Sequence, residues 1–372
     1  MRAQALARLA EIEEKTLDGE TVSLDDGLFL FDEQVDLVAV AMIADRLREQ
    51  WYGRNVYYNV NMHINPTNVC KLRCPLCAFS CDPDAKKAYL MSDAGILERA
   101  SLAAERQASE IHIVGGIHPE KRYEWYRHIL EIIHHAFPAL QLKAWTAVEI
   151  AHFSEETGMS VSEVLQDLVS VGLSGLPGGG AEIFDPQIRR VIAPAKPPAN
   201  IWLEVHQTAH SLGLSTNATM LFGHVEKPEH RISHLLRLRE LQAESIRENR
   251  PGRFEAFVPL LFHASGTKLP DVPSLSTFEQ LRTVAISRIL LNNVPHLKAY
   301  WVSLGLNVAK MALRFGADDF DGTVHEERIH HDAGSNAPVG LDVIQLRQLI
   351  LDAGYVPVER DSHYQQVKNV IR

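Results

Sequence analysis

The sequence predicts an α/β fold: a (β/α) barrel of the TIM type, with an N-terminal helical extension and a C-terminal helical tail. Three observations predict it. From Val56 onward, short apolar strand patterns alternate with amphipathic helical patterns, an order that gives parallel strands joined by crossover helices. The strand–helix units number about eight, the count of a closed barrel. The first strand alternates Tyr58, Val60, Met62 and Ile64 with Asn59, Asn61, His63 and Asn65, so one face is apolar and the other unusually polar. In a barrel the apolar face meets the helices and the polar face lines the interior. A stacked Asn-Asn-His-Asn row inside is costly unless it is hydrated or holds a polar ligand, which predicts a cavity in place of a filled core.

In chain order, residues 1–53 read as a helical extension packed on the barrel end. Ser23 with Asp26 is a capping pair for a short helix through Leu28 and Phe29, and residues 35–51 have helical apolar spacing. Residues 54–323 form the barrel domain. A helix over 92–108 precedes a strand over 110–114, and a helix over 123–137 precedes a strand over 140–147. Ser160 and Glu163 make a capping box for a helix ending near Val171, before a short strand over 173–176. A helix over 200–212, a strand over 214–221 and a long helix over 228–245 follow, with Pro228 suited to the first helical turn. The series ends with a strand over 254–262, a helix capped by Ser276 and Glu279, a strand over 297–302, a helix over 304–315 and a strand over 317–320. Residues 324–372 are a tail packed on the barrel, with one more helix over 342–353 ended by Gly354.

The chain has 372 residues, 46% hydrophobic and 23% charged, the balance of a globular protein with a sizeable core. A net charge of -10 argues against general nucleic-acid binding, which needs a basic face. The longest apolar run, 37–44, is far too short to cross a bilayer, and the N-terminus lacks the apolar stretch of a signal peptide. A cytoplasmic protein without nucleic-acid or membrane partners is expected. Clustered free thiols with none elsewhere suit a reducing compartment.

All four cysteines lie in one loop directly after the first strand, at Cys70, Cys74, Cys77 and Cys81. Thiols this close in sequence are poorly placed for disulfides and well placed to wrap one metal centre. The spacing C-x3-C-x2-C supplies three thiolates of the kind that hold iron–sulfur clusters, leaving one iron of a four-iron cluster open to a ligand. A structural zinc site is the alternative, although the second C-x2-C pair usual in zinc knuckles is missing.

The residues that follow each strand converge on the C-terminal mouth, where barrel active sites lie. They include Gly115-Gly116 with His118, Glu149, Gly178-Gly179-Gly180 with Glu182, Asn217 and Thr219 with Gly223 and Glu226, and His263. Glycines there let the backbone approach a ligand and offer N–H groups to anions, so a carboxylate-bearing ligand fits the triple-glycine loop. Among the histidines, His63, His118 and His263 fall at the mouth. His134, His135, His206, His210, His230 and His234 lie at helical spacings and read as packing or solvated residues. Asp318 and Asp319 read as turn residues.

The run Cys70-Lys-Leu-Arg-Cys74-Pro-Leu-Cys77 resembles the signature of the radical S-adenosylmethionine (radical SAM) family. That resemblance implies a [4Fe-4S] cluster held by Cys70, Cys74 and Cys77, with the fourth iron chelated by S-adenosylmethionine and Cys81 a bystander. It implies SAM contacts from Gly115 and Gly116 to the methionine amino group and from Thr219, Gly223 and Glu226 to the adenine. Thr219 stands where that motif usually has Gly, and Leu76 where an aromatic is commoner. Leu76, Phe79 and Glu149 complete the expected cofactor contacts.

Six stretches, among them 60–70, 112–116, 176–184, 216–220, 296–301 and 316–323, resemble a narrower group in that family, the aminofutalosine synthases of the futalosine route to menaquinone. What this implies is addition of the deoxyadenosyl radical to the enol ether of 3-[(1-carboxyvinyl)oxy]benzoate, with rearrangement and decarboxylation, giving 6-amino-6-deoxyfutalosine and methionine. His63 and Glu182 are then the expected catalytic residues. Asn61, Asn65, His118, Gly178, Gly179, Gly180, Asn217 and His263 are the expected contacts to a small aromatic dicarboxylate. An electron donor such as flavodoxin or ferredoxin is implied as partner. The related dehypoxanthine futalosine cyclase, which abstracts hydrogen, and a zinc-stabilised binding protein are the alternatives.

Overall fold

Short strands, most of them buried, surround a cavity in the computed structural model, which describes residues 2–367. Met1 and residues 368–372, the outer ends of the expected extension and tail, lie outside the described residues. The strands are β1 (Asn55–Asn59), β2 (Asn61–Ile64), β3 (Glu110–Ile113), β4 (Gln141–Ala144), β5 (Leu173–Gly175), β6 (Thr216–Phe222), β7 (Phe254–Leu261), β8 (His296–Leu297), β9 (Asp319–Gly322) and β10 (Val356–Glu359). They form sheets of order β10-β1-β9, β2-β3-β4-β5 and β6-β7-β8, parallel throughout.

Between sheets the ladder shrinks to single parallel bridges, Leu176 with Thr216 and Lys298 with Asp319. Asn217 N–H donates to Leu176 O at 3.0 Å and Ala299 N–H to Asp319 O at 2.7 Å across these seams. The strands thus follow one another in TIM order, with β1 and β2 as halves of the first barrel strand, but the ladder is not continuous round the ring. At the β1–β2 break a side chain replaces the ladder: Asn61 N–H donates to Thr323 Oγ1 at 3.0 Å, and that hydroxyl donates to Asn61 O at 2.7 Å.

The period of two sorts the strands as expected. Met62, Ile64, Ile111 and Ile113 are buried against the helical layer, while Asn61, His63, Glu110 and His112 line the interior. Helices answer with apolar stripes. In Tyr123–Ala136, Tyr126, Ile129, Leu130 and Ile133 are buried, at helical spacing. Ser23, Ser160 and Ser276 cap their helices, and the last two close full capping boxes with Glu163 and Glu279.

Four elements depart from the sequence reading. The expected strand over 140–147 ends at Ala144, and Ala147–Thr157 is a helix, because Thr146 and Glu149 form a capping box there. The strand over 297–302 is cut to two residues, and Trp301–Leu304 is helical. Pro186–Ile192 is a further helix with Asp185 as its N-cap. Beyond the tail helix, found as Val343–Asp352, β10 adds itself to β1. Asp318 and Asp319 are not turn residues: both are fully buried, ion-paired to Arg288 and to Arg360 respectively.

Candidate active site

The polar inner rows enclose a cavity of about 290 Å³ that opens at the C-terminal ends of the strands. Cys70, Cys74 and Cys77 line it, and Cys81 does not. The cysteine loop is tied down by its backbone. Cys81 N–H donates to Asn68 O at 2.9 Å, Cys70 N–H to Cys81 O at 3.2 Å and Cys77 N–H to Cys74 O at 3.0 Å. Ser80 N–H points at Cys77 Sγ, 3.4 Å away. Burial pushes the Cys74 thiol up to about 11, against the lowering charge of Lys196.

Glycine is required under this loop. A Cβ on Gly116 would lie 2.2 Å from Val69 O, and one on Gly115 3.0 Å from Thr67 O. The triple-glycine turn is equally confined: Gly178 would meet the backbone of Ala218 at 2.7 Å, Gly179 the Thr146 side chain at 3.0 Å, and Gly180 the Val148 side chain at 2.4 Å. Gly180 also has φ +83°, the left-handed region where a side chain is strained. These glycines let the strand ends close in around an open space lined by Gly115, Gly178, Gly179 and Gly180.

Most of the expected site residues meet here. Asn61, His63, Leu76, Phe79, Glu149, Glu182, Asn217, Thr219 and His263 all line the cavity. Glu182 is ion-paired to Lys196; burial opposes its ionisation, yet Lys196 holds its carboxyl below the usual range. Glu149 turns its carboxylate back to the Thr146 N–H at 3.1 Å and to the Thr146 hydroxyl, and burial raises its pKa. His63 stacks on His112, ring centroids 4.7 Å apart and planes at 14°. Burial first, and the neighbouring imidazole second, depress His63 to about 3. Burial lowers His112 to about 4. Both rings are therefore neutral near pH 7.

Five expected contacts stand outside this lining. Gly116 packs beneath the cysteine loop. His118 is held at the side: its N–H donates to Tyr126 Oη at 2.8 Å and its Nδ1 accepts from Glu120 N–H at 3.1 Å. Glu226 accepts from the Gly223 and His224 N–H groups at 2.6 and 2.8 Å and from Arg231 Nε at 2.7 Å, so Gly223 and Glu226 shape the turn after β6. Asn65 faces a second, smaller pocket with Tyr89, Arg99 and Arg328, its Nδ2 donating to Val114 O at 2.8 Å.

Lys196, Lys298, Tyr300, Glu327 and His330, which the sequence did not single out, also line the cavity, as does Asp321 at the end of the last strand. Lys298 and Tyr300 had a usable signal, alternation at a strand end, whereas Lys196 and Glu327 come from irregular chain with no period to read. Among the packing histidines, His206, His210 and His234 are buried and hydrogen-bonded, to Thr216, to Ser245 and Thr216, and to Thr219 O respectively.

No group of three His, Cys, Asp or Glu side chains among the described residues converges closely enough to hold a single metal ion. A zinc site needs such convergence, with ligands about 2.0–2.3 Å from one centre. Three thiols facing one open space, with glycine-lined room beyond them, instead fit a larger cluster with a small molecule alongside.

Comparison with known proteins defines the class. The family model of the radical SAM superfamily matches residues 64–238, and that of the CofH/MqnC C-terminal region matches residues 251–371. The chain belongs to the radical SAM superfamily, whose members use a [4Fe-4S] cluster and S-adenosylmethionine. Within it, the chain is 40% identical to the aminodeoxyfutalosine synthase of Thermus thermophilus over 99% of this chain and 98% of that one. It is 40% identical to that of Streptomyces coelicolor over 95% and 93%. The 5-amino-6-(D-ribitylamino)uracil–L-tyrosine 4-hydroxyphenyl transferase of Methanopyrus kandleri is 34% identical over 93% of this chain and 94% of that one. Among solved structures, methylornithine synthase superposes with a TM-score of 0.72 at 16% identity, covering 93% of this chain and 97% of that one. The FeFe-hydrogenase maturase HydG from Carboxydothermus hydrogenoformans gives 0.73 at 14%, covering 97% and 82%. Both show the fold alone.

Proposed function

We propose that this protein acts as an aminodeoxyfutalosine synthase. It would join the 5′-deoxyadenosyl group of S-adenosylmethionine to 3-[(1-carboxyvinyl)oxy]benzoate, with rearrangement and loss of one carboxylate, giving 6-amino-6-deoxyfutalosine and methionine for menaquinone biosynthesis. The observation that carries this is full-length likeness, 40% identity to two aminodeoxyfutalosine synthases over 99% and 95% of the chain, against 34% and 36% to two hydroxyphenyl transferases.

When bound, the cluster supplies the electron that cleaves S-adenosylmethionine reductively. The chain's own contribution is position and enclosure. Cys70, Cys74 and Cys77 hold the cluster at the mouth, with Leu76 and Phe79 as its apolar cover and the Gly115 and Gly178–Gly180 turns giving the backbone close approach to S-adenosylmethionine. Thr219 and Glu149 line the same cavity. Glu182, kept ionised by Lys196, sets a balanced charge beside the thiols, and neutral His63 offers a hydrogen-bonding edge to the second substrate. These two are the proposed catalytic residues. Asn61, Asn217 and His263 face the same space as substrate contacts, and Asn217 Oδ1 is a buried acceptor with no partner, ready for a donor on a ligand. The enclosing walls exclude water from a reactive intermediate. A small flavodoxin or ferredoxin is the proposed electron donor. Residues 1–53, 54–323 and 324–372 are the proposed extension, barrel and tail.

The test is anaerobic. The reconstituted protein is given a reductant, S-adenosylmethionine and the carboxyvinyloxybenzoate, and products are read by mass spectrometry. A product joining adenosyl to the benzoate skeleton is expected. Free 5′-deoxyadenosine with an unchanged benzoate would overturn the proposal and point to hydrogen abstraction from another substrate.

A further inference from the structure

The cavity has two ends of different chemistry. Among the described residues, Lys196 and Lys298 are the only lysines or arginines that line it. Lys196 belongs to the thiol end, where its charge acts on Cys74 and Cys77. Lys298 belongs to the floor. Its N–H donates to Phe257 O at 2.9 Å, which sets it level with Val258 on β7 and with Thr219 on β6, below the mouth.

Lys298 is 4% exposed, yet its ammonium makes a single hydrogen bond, to Asp321 Oδ1 at 2.5 Å. An ammonium has three donors, so two remain for the cavity that the side chain lines. Asp321 is fixed in turn: its φ is 63°, and its N–H donates to Asp319 Oδ1 at 2.6 Å. The other floor carboxylates have their own cations, Glu110 with Lys143 at 3.2 Å and Asp319 with Arg360 at 2.7 Å. Lys298 is thus the floor cation that both lines the cavity and has donors left over. Two residues on, Tyr300 lines the same cavity, and with Val258, Leu260 and Phe262 it gives that space an apolar slot.

We propose that Lys298 anchors the benzoate carboxylate of the second substrate at the cavity floor, with the aromatic ring in the slot formed by Tyr300, Val258, Leu260 and Phe262. This rests on the function proposed above. The reactive double bond must face the adenosyl group at the thiol end, so the carboxylate on the ring is the one that reaches the floor. Lys298 is therefore a specificity-determining residue, and it selects an aromatic ring that carries a carboxylate over one that does not.

The experiment is calorimetric binding of 3-[(1-carboxyvinyl)oxy]benzoate, and of its benzoate methyl ester, to the cluster-loaded protein with S-adenosylmethionine present and no reductant. Wild type and Lys298→Met are compared. The expected result is a Kd for the diacid at least about tenfold higher in Lys298→Met, in line with a lost charge-assisted hydrogen bond. The Kd for S-adenosylmethionine should move less, and the ester should bind both proteins alike. Because Lys298→Met leaves Asp321 buried and unpaired, Lys298→Met/Asp321→Asn is run beside it; Asn removes the charge and tolerates the left-handed backbone at this position, and the same loss is expected. Diacid binding unchanged in either folded variant overturns the assignment of Lys298 alone. Wild-type protein that fails to bind the diacid overturns the proposed function and this assignment together.

Discussion

At the scale of single residues, the cysteine loop separates three thiols that line the cavity from a fourth that does not. Cys81 is buried outside the cavity that Cys70, Cys74 and Cys77 share. Replacing Cys77 with Ala should abolish iron and sulfide binding on reconstitution, while Cys81→Ser should keep the wild-type iron content and visible spectrum; iron and sulfide analysis of the two variants decides it. The spacing alone pointed to the three thiols that share the cavity. It could not say that Glu149 would spend its carboxylate on the Thr146 cap, or that Glu226 would fold back on Arg231, since a motif fixes sequence distance and not side-chain direction.

At the scale of elements, the tail is the part least legible beforehand and most involved in the floor. After β10, Arg360 Nε donates to Asp319 Oδ2 at 2.7 Å and Ser362 Oγ to Glu110 Oε2 at 2.6 Å. Tyr364 stacks on His296, centroids 3.5 Å apart and planes at 2°. Arg360 and Asp319 side chains are both 0% exposed, so Arg360→Met would strand a buried carboxylate. Urea unfolding should show a loss of about 3–5 kcal/mol, the usual effect of removing one partner of a buried pair. Restoring balance with Arg360→Met/Asp319→Leu should recover much of it. The sequence hid β10 because Val356-Pro357-Val358-Glu359 is short, half exposed and contains a proline, marks of an edge strand or a loop. The strand over 297–302 failed for the opposite reason: its apolar run was long enough, but Tyr300 N-caps a helical turn.

At the scale of the whole molecule, buried histidines set the response to pH. Burial holds His63 to about 3, His112 to about 4, and His210 and His234 to about 3, all from 6.5. Each folded value lies below the unfolded one, so below about pH 6.5 the unfolded chain binds more protons and stability falls as pH falls. Each group contributes at most about 1.4 kcal/mol per pH unit. His331 runs the other way. Its hydrogen bond to Glu327 raises it to about 9, so its stabilisation is complete below about pH 6.5 and is lost as pH rises through about 9. Thermal melts across that range should therefore peak near neutrality and drop steeply on the acid side, and a Tm that rises between about pH 6.5 and 5 would contradict the buried histidine account.

By itself the sequence determined the parallel α/β order, the polar inner face of the first strand, the glycine turns and the clustering of the three thiols. Each of these follows from local period, local spacing or the absence of a side chain, all of which are written along the chain. Only the tertiary structure decided that Lys196 meets Glu182, that Lys298 meets Asp321, and that the tail supplies Arg360 to Asp319. Those pairings join residues from separate strands and loops inside one low-dielectric space, where each buried charge must find an opposite partner, and a linear sequence does not record which partner is near.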